Sequence, residues 1–460
     1  MGEKQVRGNR MSMSRRVSSE PIATEQTVVE KAVGLRRATL TVAVVLCYIG
    51  LFTVSWDRLG NLSVGAFNVK ISVVAFGLSL VLAAIATLSG RKFYPPKSIL
   101  ALMSGIVLVM IVSSAFSLDV RAAVLSTLTV IAGALVPALA VYAAASLGRF
   151  EDLLKWFVWG ALFACLFGLY QLVAFYLDLP QFIEYEGQSG GLGRIASFSY
   201  EPAYLGYFLV LALAAACVRV YLTGGTWARY AHLLLIVATL VLLNSRAVFL
   251  TIPLLLVLSW PVLRRFISTK QVLVCASSAL GLFIVVCFAI PAIPTTLWNQ
   301  FLSIFNPNEV TSNAPRLQIY GAAVDIARDH PWLGVGPSNF GLYIQGLQYQ
   351  QYDGVSLNKM VTNNIWLQAM MDGGVFLLLI QLALAIYVIL KIYFSGNNSA
   401  RLLASGWLSV VVVGGMVVSN FYDAKLWVFL ALALVAVRIG AERPTQSLGA
   451  APTRDDPALP

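Results

Sequence analysis

Three arginines, Arg194, Arg246 and Arg316, stand at the edges of long apolar runs, where a fixed positive charge is costly unless it meets a partner or a cavity. Guanidinium keeps its charge and binds phosphate oxygens through paired hydrogen bonds, so the three together form a candidate site for a phosphorylated ligand. Taken singly, each could also be an arginine whose head reaches the membrane interface. Glu201 follows Arg194 by seven residues and immediately precedes Pro202. An acid there can favour a helix start, or it can accept a proton from a hydroxyl. Tyr200 and Tyr204 flank it and can stack on a sugar ring or sit in an interfacial aromatic belt. His330 can bind substrate or cap the end of a helix. Asn363 and Asn364, just ahead of an apolar run, read equally as a helix cap or as ligands for a polar head group.

These residues need a scaffold, and composition says which. The chain has 460 residues, 58% of them hydrophobic and only 12% charged, with a mean hydropathy of +0.78. A soluble domain carries about 25% charged residues. The composition excludes an ordinary water-soluble enzyme and a disordered chain, and leaves an all-α polytopic membrane bundle. About twelve apolar runs can each serve as a transmembrane helix: 38–56, 69–89, 98–117, 122–147, 153–178, 202–222, 230–244, 247–263, 271–297, 373–394, 402–420 and 425–440. The seventh and eighth are separated only by Asn244-Ser245-Arg246 and could instead be one bent element.

Twelve spans with a cytoplasmic N-terminus put 23 of the 32 Lys and Arg inside and nine outside. That is the positive-inside pattern, and it predicts that both termini are cytoplasmic. The net charge of +11 is then a topology signal and not a footprint for nucleic acid. Residues 1–37 read as a basic, disordered cytoplasmic tail with no cleaved leader, 38–440 as the polytopic domain, and 441–460 as a second loose tail. Two outer segments are long, 179–200 and 298–362. Within the second, Leu317, Tyr320, Val324 and Ala327 recur at helical spacing between Pro315 and His330-Pro331, which predicts an amphipathic helix over 315–329 lying on the outer face. The five cysteines lie in apolar runs and read as core residues. The absence of a compact Asp/Glu cluster gives no reason to expect a metal, and no cofactor is implied.

Four motifs in order resemble the O-antigen ligase and O-antigen polymerase superfamily. They are Arg194-Ile195-Ala196-Ser197-Phe198-Ser199-Tyr200-Glu201-Pro202; Asn244-Ser245-Arg246-Ala247; Arg316 followed by Asp329-His330-Pro331-Trp332-Leu333-Gly334-Val335-Gly336-Pro337 and Asn339-Phe340; and Asn364-Ile365-Trp366-Leu367-Gln368 with Asp372-Gly373. The similarity covers about 190–380. It implies a GT-C-like glycosyltransferase of a bacterial inner membrane with an extracytoplasmic site. Its donor would be a glycan on polyprenyl pyrophosphate, its acceptor a growing polysaccharide or lipid A core, and its neighbours membrane lipids and a chain-length regulator. Many members carry a histidine where this chain has Asn363, whose amide cannot act as a general base. That departure and the Glu201-Pro202 pair favour polymerisation of O-antigen or exopolysaccharide repeats over ligation. On this reading Arg246 and Arg316, with Arg194, hold the pyrophosphate, Glu201 activates the acceptor hydroxyl with His330 as a second candidate, and attack inverts the anomeric centre. A transporter or a flippase of lipid-linked oligosaccharide is the non-enzymatic alternative.

Overall fold

The computed structural model describes residues 20–60, 62–64, 67–87, 95–147, 150–183, 188–189, 192–193, 195–243, 245–265, 281, 314–344, 360–419 and 421–442. The apolar runs become helices: α1 (Glu20–Thr53), α2 (Ile71–Thr87), α3 (Lys97–Ala115), α4 (Val120–Ala145), α5 (Phe150–Leu177), α6 (Pro202–Thr223), α7 (Trp227–Leu242) and α8 (Arg246–Leu263). After them come α9 (Ala314–Asp329), α10 (Ile365–Tyr393), α11 (Asn398–Val412) and α12 (Ala424–Glu442). Two short antiparallel hairpins, Leu62–Val64 with Phe67–Val69 and Gln188–Ser189 with Leu192–Gly193, are the only strands among the described residues.

Two features of the bundle mark its solvent as lipid. Asn398–Val412 is buried along nearly its whole length, with Trp407 in the core, and packs on α6, α8 and α12. On the periphery, Val74, Leu78, Val81 and Ile85 form an exposed apolar stripe along α2, and Leu379, Leu382 and Ile386 form another along α10. Apolar side chains at helical spacing that face away from the protein are stable only against hydrocarbon. Six described helices are long and apolar enough to cross a membrane, and four apolar helices are shorter. Of the twelve expected runs, six are membrane-length helices among the described residues, Arg37–Thr53, Ile71–Ala86, Trp227–Leu242 and Ala247–Leu263 are shorter apolar helices, 425–440 lies within Ala424–Glu442, and 271–297 lies almost wholly outside the described residues.

Other sequence expectations change in detail. The 244–246 junction separates two helices, α7 and α8, so the fused alternative falls. The first helix begins at Glu20, inside the segment expected to be a loose tail; the helical repeat simply continues upstream of the apolar run. The run 122–147 is one helix interrupted by a π-helical turn at Ile131–Leu135. Pro137, two residues on, lacks an amide proton and crowds the preceding carbonyls, so the widened turn lets the helix pass it. Cys47 and Cys165 are buried, Cys217 is partly so, and all three are free thiols.

The tenth helix is broken inside the membrane-length run. Gly373 departs from helical geometry and Gly374 has φ +64°, ψ −156°. The 330–339 stretch fills the break. Val375 donates its amide to the Pro331 carbonyl at 2.8 Å, and Val335 and Gly336 donate theirs to Met371 at 2.8 and 3.1 Å. Ser113 Oγ on α3 donates to the Leu333 carbonyl at 2.6 Å. Asn339 Oδ1 accepts the Asp119 amide at 2.7 Å, in the turn before α4. A Cβ at Gly374 would strike the Trp332 carbonyl. Gly374→Ala combines that collision with a left-handed backbone, at a cost of about 1–3 kcal/mol for the strained residue alone. Hydrogen exchange should show the Val335 and Val375 amides losing protection in this variant while the amides of α11 keep theirs.

Candidate functional site at one end of the bundle

The segments expected on the outer side share one end of the bundle, joined by contacts between elements far apart in sequence. The Arg58 amide, after α1, donates to Phe198 before α6 at 2.9 Å. Tyr320 Oη on α9 donates to the Met416 carbonyl at 2.7 Å and approaches the Asn363 carbonyl at 3.1 Å. The Asn364 amide donates to Ser419 Oγ at 3.0 Å.

Arg316 lies in the first turn of α9 and is half-buried. Pro315 precedes it, in a turn whose amides need no partner within the helix. The helix was expected, but its buried face is not the one expected. Ile319, Ala322, Ala323 and Ile326 are buried against Val335, Phe340, Ile344, Met360 and Met371, whereas Leu317 and Val324 are exposed. Both stripes are apolar at helical spacing. The inner one is rich in alanine and lets α9 lie close to α10. Tyr320, one turn beyond Arg316, anchors this helix to the starts and ends of two others. Burial pushes the Tyr320 phenol up, and the Arg316 charge opposes that shift.

Tyr207 of α6 reaches the same place from the other side: Gly414 lies against its ring, two residues before Met416, whose carbonyl takes the Tyr320 hydroxyl one turn beyond Arg316. Glu201 is the N-cap residue of α6, followed by Pro202 at the first helical position. Its carboxylate makes no capping hydrogen bond and is exposed. Tyr204 is half-buried and Tyr200 exposed. The hairpin before α8 meets α6 one turn further in, where a Cβ at Gly206 would strike Val248 and crowd Leu243. Arg246 is the first residue of α8, after Ser245, so its backbone stands at this same end. Its side chain and the whole of Arg194 lie outside the described residues.

The remaining candidates divide. Asn364 is a cap: its Oδ1 accepts the Trp366 and Leu367 amides at 2.9 and 3.2 Å. Asn363 is half-buried with φ +53°, and it is the Asn363 carbonyl that faces Tyr320. His330 is exposed just past α9, its ring edge-on to Tyr343 at 5.2 Å between centroids. The helix end there is closed by backbone bonds, His330 amide to Ile326 at 2.9 Å and Gly334 amide to His330 at 3.1 Å.

Two features of this end had no place in the sequence reading. Residues 195–199, between Arg194 and Tyr200, are fully buried. Phe198 stacks on Phe167 at 4.4 Å, and Ser197, at φ +53°, donates its amide to Gln171 Oε1 at 2.7 Å. Residues 195–199 form a plug wedged into the bundle, and Glu201 follows just past it at the start of α6. The second is an ion cluster. Asp57 Oδ1 meets Lys70 at 2.6 Å and Oδ2 meets Lys425 at 2.7 Å, while Lys425 also meets Asp423 at 2.8 Å. It clasps the segments after α1 and before α2 to the start of α12. A lysine in the first turn of a helix opposes the helix dipole, so the two acids are what make it tolerable there. Lys70 and Lys425 were visible in the sequence only as outer-side cations that defied the positive-inside pattern.

Burial would raise the Asp57 pKa, but the two ammonium groups outweigh it and hold the carboxyl below its usual range. Its contribution to stability is therefore complete above the unfolded-state carboxylate value of about 3.9. It is lost only as pH falls through the lower folded value. Asp57→Asn should cost on the order of 3–5 kcal/mol, since it strips a partner from buried Lys425. A thermal unfolding midpoint in detergent that stayed within a degree of wild type would refute this.

A helical bundle with six membrane-length apolar helices among its described residues and exposed apolar stripes marks an integral membrane protein. Residues 231–382 match a family model described as O-antigen ligase. That match supports a relationship of this segment to the O-antigen ligase/polymerase superfamily; the segment runs from within α7 through α8 and α9 into α10. It includes Arg246, Arg316, His330, Asn363 and Asn364, and excludes Arg194, Tyr200, Glu201 and Tyr204. No curated protein matches the chain.

Proposed function

We propose that the protein transfers a glycan from a polyprenyl-pyrophosphate carrier to a sugar hydroxyl at the outer face of a bacterial inner membrane, extending O-antigen or exopolysaccharide repeats. The observation that supports this reading is that Tyr320, one turn beyond Arg316 of the matched segment, and Tyr207 of α6 both reach the 414–416 end of α11, at the end of the bundle where α8 begins with Arg246. Arg316 and Arg246, with Arg194, neutralise the pyrophosphate as the bond from the anomeric carbon to its oxygen breaks. The pyrophosphate leaves with that electron pair. The acceptor hydroxyl attacks from the opposite face, its proton passes to Glu201, and the anomeric centre inverts. Tyr200 and Tyr204 line the sugar side. The bundle's apolar surface suits the polyprenyl tail, and no metal or cofactor enters the scheme.

Glu201 fits the role of base because it is exposed and its carboxylate is not spent on the helix cap. Asn363 and Asn364 serve instead to fix the start of α10. The full twelve-span arrangement, cytoplasmic termini and any chain-length regulator belong to the same proposal. A second reading, with lipid A core as acceptor, is favoured by the match to the O-antigen ligase model.

Purified protein in lipid, given radiolabelled lipid-linked repeat units, separates the possibilities. Ladders of longer glycans are the expected product. Label moved only to added lipid A core means ligation, and no new glycosidic bond with either acceptor defeats both readings.

A further inference from the structure

We propose that the hydroxyl of Tyr207 is a substrate contact, donating a hydrogen bond to a phosphoryl oxygen of the lipid-linked donor beside Arg316. The proposal rests on the pyrophosphate reading above and adds to it a residue that lies outside the segment matched to the family model. Tyr207 is 1% exposed, and among the described residues its buried Oη has no hydrogen-bond partner. A buried hydroxyl left unpaired is a standing cost to the fold, so a residue type that merely fills space would be better as phenylalanine there. The ring is pinned. Gly414, at the end of α11, lies so close that a Cβ would come within 2.7 Å of Tyr207 Cε1. The hydroxyl is therefore held in place and not left to swing toward another acceptor.

What surrounds that hydroxyl is the rest of the candidate site. Gly414, against the Tyr207 ring, is two residues from Met416, whose carbonyl accepts the Tyr320 hydroxyl one turn beyond Arg316 of α9, and Tyr204 and Glu201 precede Tyr207 by one and two turns on α6. Tyr320 is already committed to the carbonyls of Asn363 and Met416. Tyr204 and Tyr207 are one turn apart on α6, and Glu201 caps the same helix. A neutral donor beside a guanidinium is the pairing that an anionic oxygen can use at once, one bond charge-assisted from the arginine and one from the phenol. Admission of the phosphate needs side-chain rearrangement of the kind common in binding sites.

The test uses full-length protein in nanodiscs with undecaprenyl pyrophosphate as probe, read by equilibrium binding, and the thermal midpoint without lipid. Tyr207→Phe removes the hydroxyl and keeps the ring. The expected result is affinity lowered about tenfold, with a lipid-free midpoint equal to or above that of wild type. Wild-type affinity in Y207F alongside weakened binding in R316A overturns the Tyr207 contact alone, and assigns the hydroxyl to a buried water. A Y207F midpoint well below wild type assigns the hydroxyl to the fold and also overturns it. Failure of the wild type itself to bind the probe overturns the contact together with the pyrophosphate reading.

Discussion

Arg316→Ala is expected to abolish polymer formation while the protein still accumulates in the membrane. Removing one fixed donor from developing negative charge typically costs about 100- to 1000-fold in turnover. At 4 Å, a unit charge pair is worth about 1 kcal/mol in water and about 4 at an effective dielectric of 20. Arg316 stands between those limits, because it is half-buried at the head of a helix whose opposite face is fully packed. Its guanidinium is not needed by that packing, which Ile319, Ala322, Ala323 and Ile326 supply. Expression and thermal midpoint should therefore stay near wild type. Arginine to lysine at this position should restore only part of the activity, since a point charge lacks the paired geometry. Full polymer yield from the alanine variant would remove Arg316 from the chemistry.

The second large effect is expected from Glu201→Gln. The amide is nearly isosteric and cannot take the acceptor proton, so turnover should fall by about 100- to 10,000-fold. Donor binding should change little, because the proposed phosphate contacts are the arginines and Tyr207. The fold should not register the change, since the Glu201 side chain makes no capping bond and α6 already begins with Pro202. Single-turnover measurement with saturating lipid-linked donor separates the two steps. Equal loss in binding and turnover would make Glu201 a donor ligand, and wild-type behaviour would reduce it to an acid at a helix start.

How much of this was legible in the sequence follows from the range of each interaction. Helices declare themselves by local apolar composition, so most described apolar runs match helices with ends within a few residues, while α1 and α10 begin well ahead of their apolar runs and α11 ends ahead of its own. The helix over Ala314–Asp329 was readable from Pro315 and the following period. Which of its faces is buried was not, because Leu317 and Val324 are as apolar as Ile319 and Ile326, and only the position of α10 decides between them. Gly334, Gly336 and Gly374 gave no hint of one another, yet all three have positive φ where the 330–339 stretch enters the broken helix. The clasp of Asp57, Lys70 and Lys425 joins residues up to 368 positions apart and has no local signature. Arg316 and Glu201 were picked out by chemistry alone. Tyr207 was passed over because a tyrosine amid alanines and leucines looks like any other aromatic in a span.

The seating of residues 330–339 in the gap of α10 has a consequence for how this scaffold can diversify. Arg316 is fixed through Tyr320 and the α9 core, and the stretch after α9 is fixed through Asn339, Ser113 and Met371. Insertions or deletions ahead of Ala314 or after Ile344 can then accumulate without transmitting a lever arm to the guanidinium. The flanking segments can be remodelled while the head of α9, proposed above to hold the carrier phosphate, keeps its place.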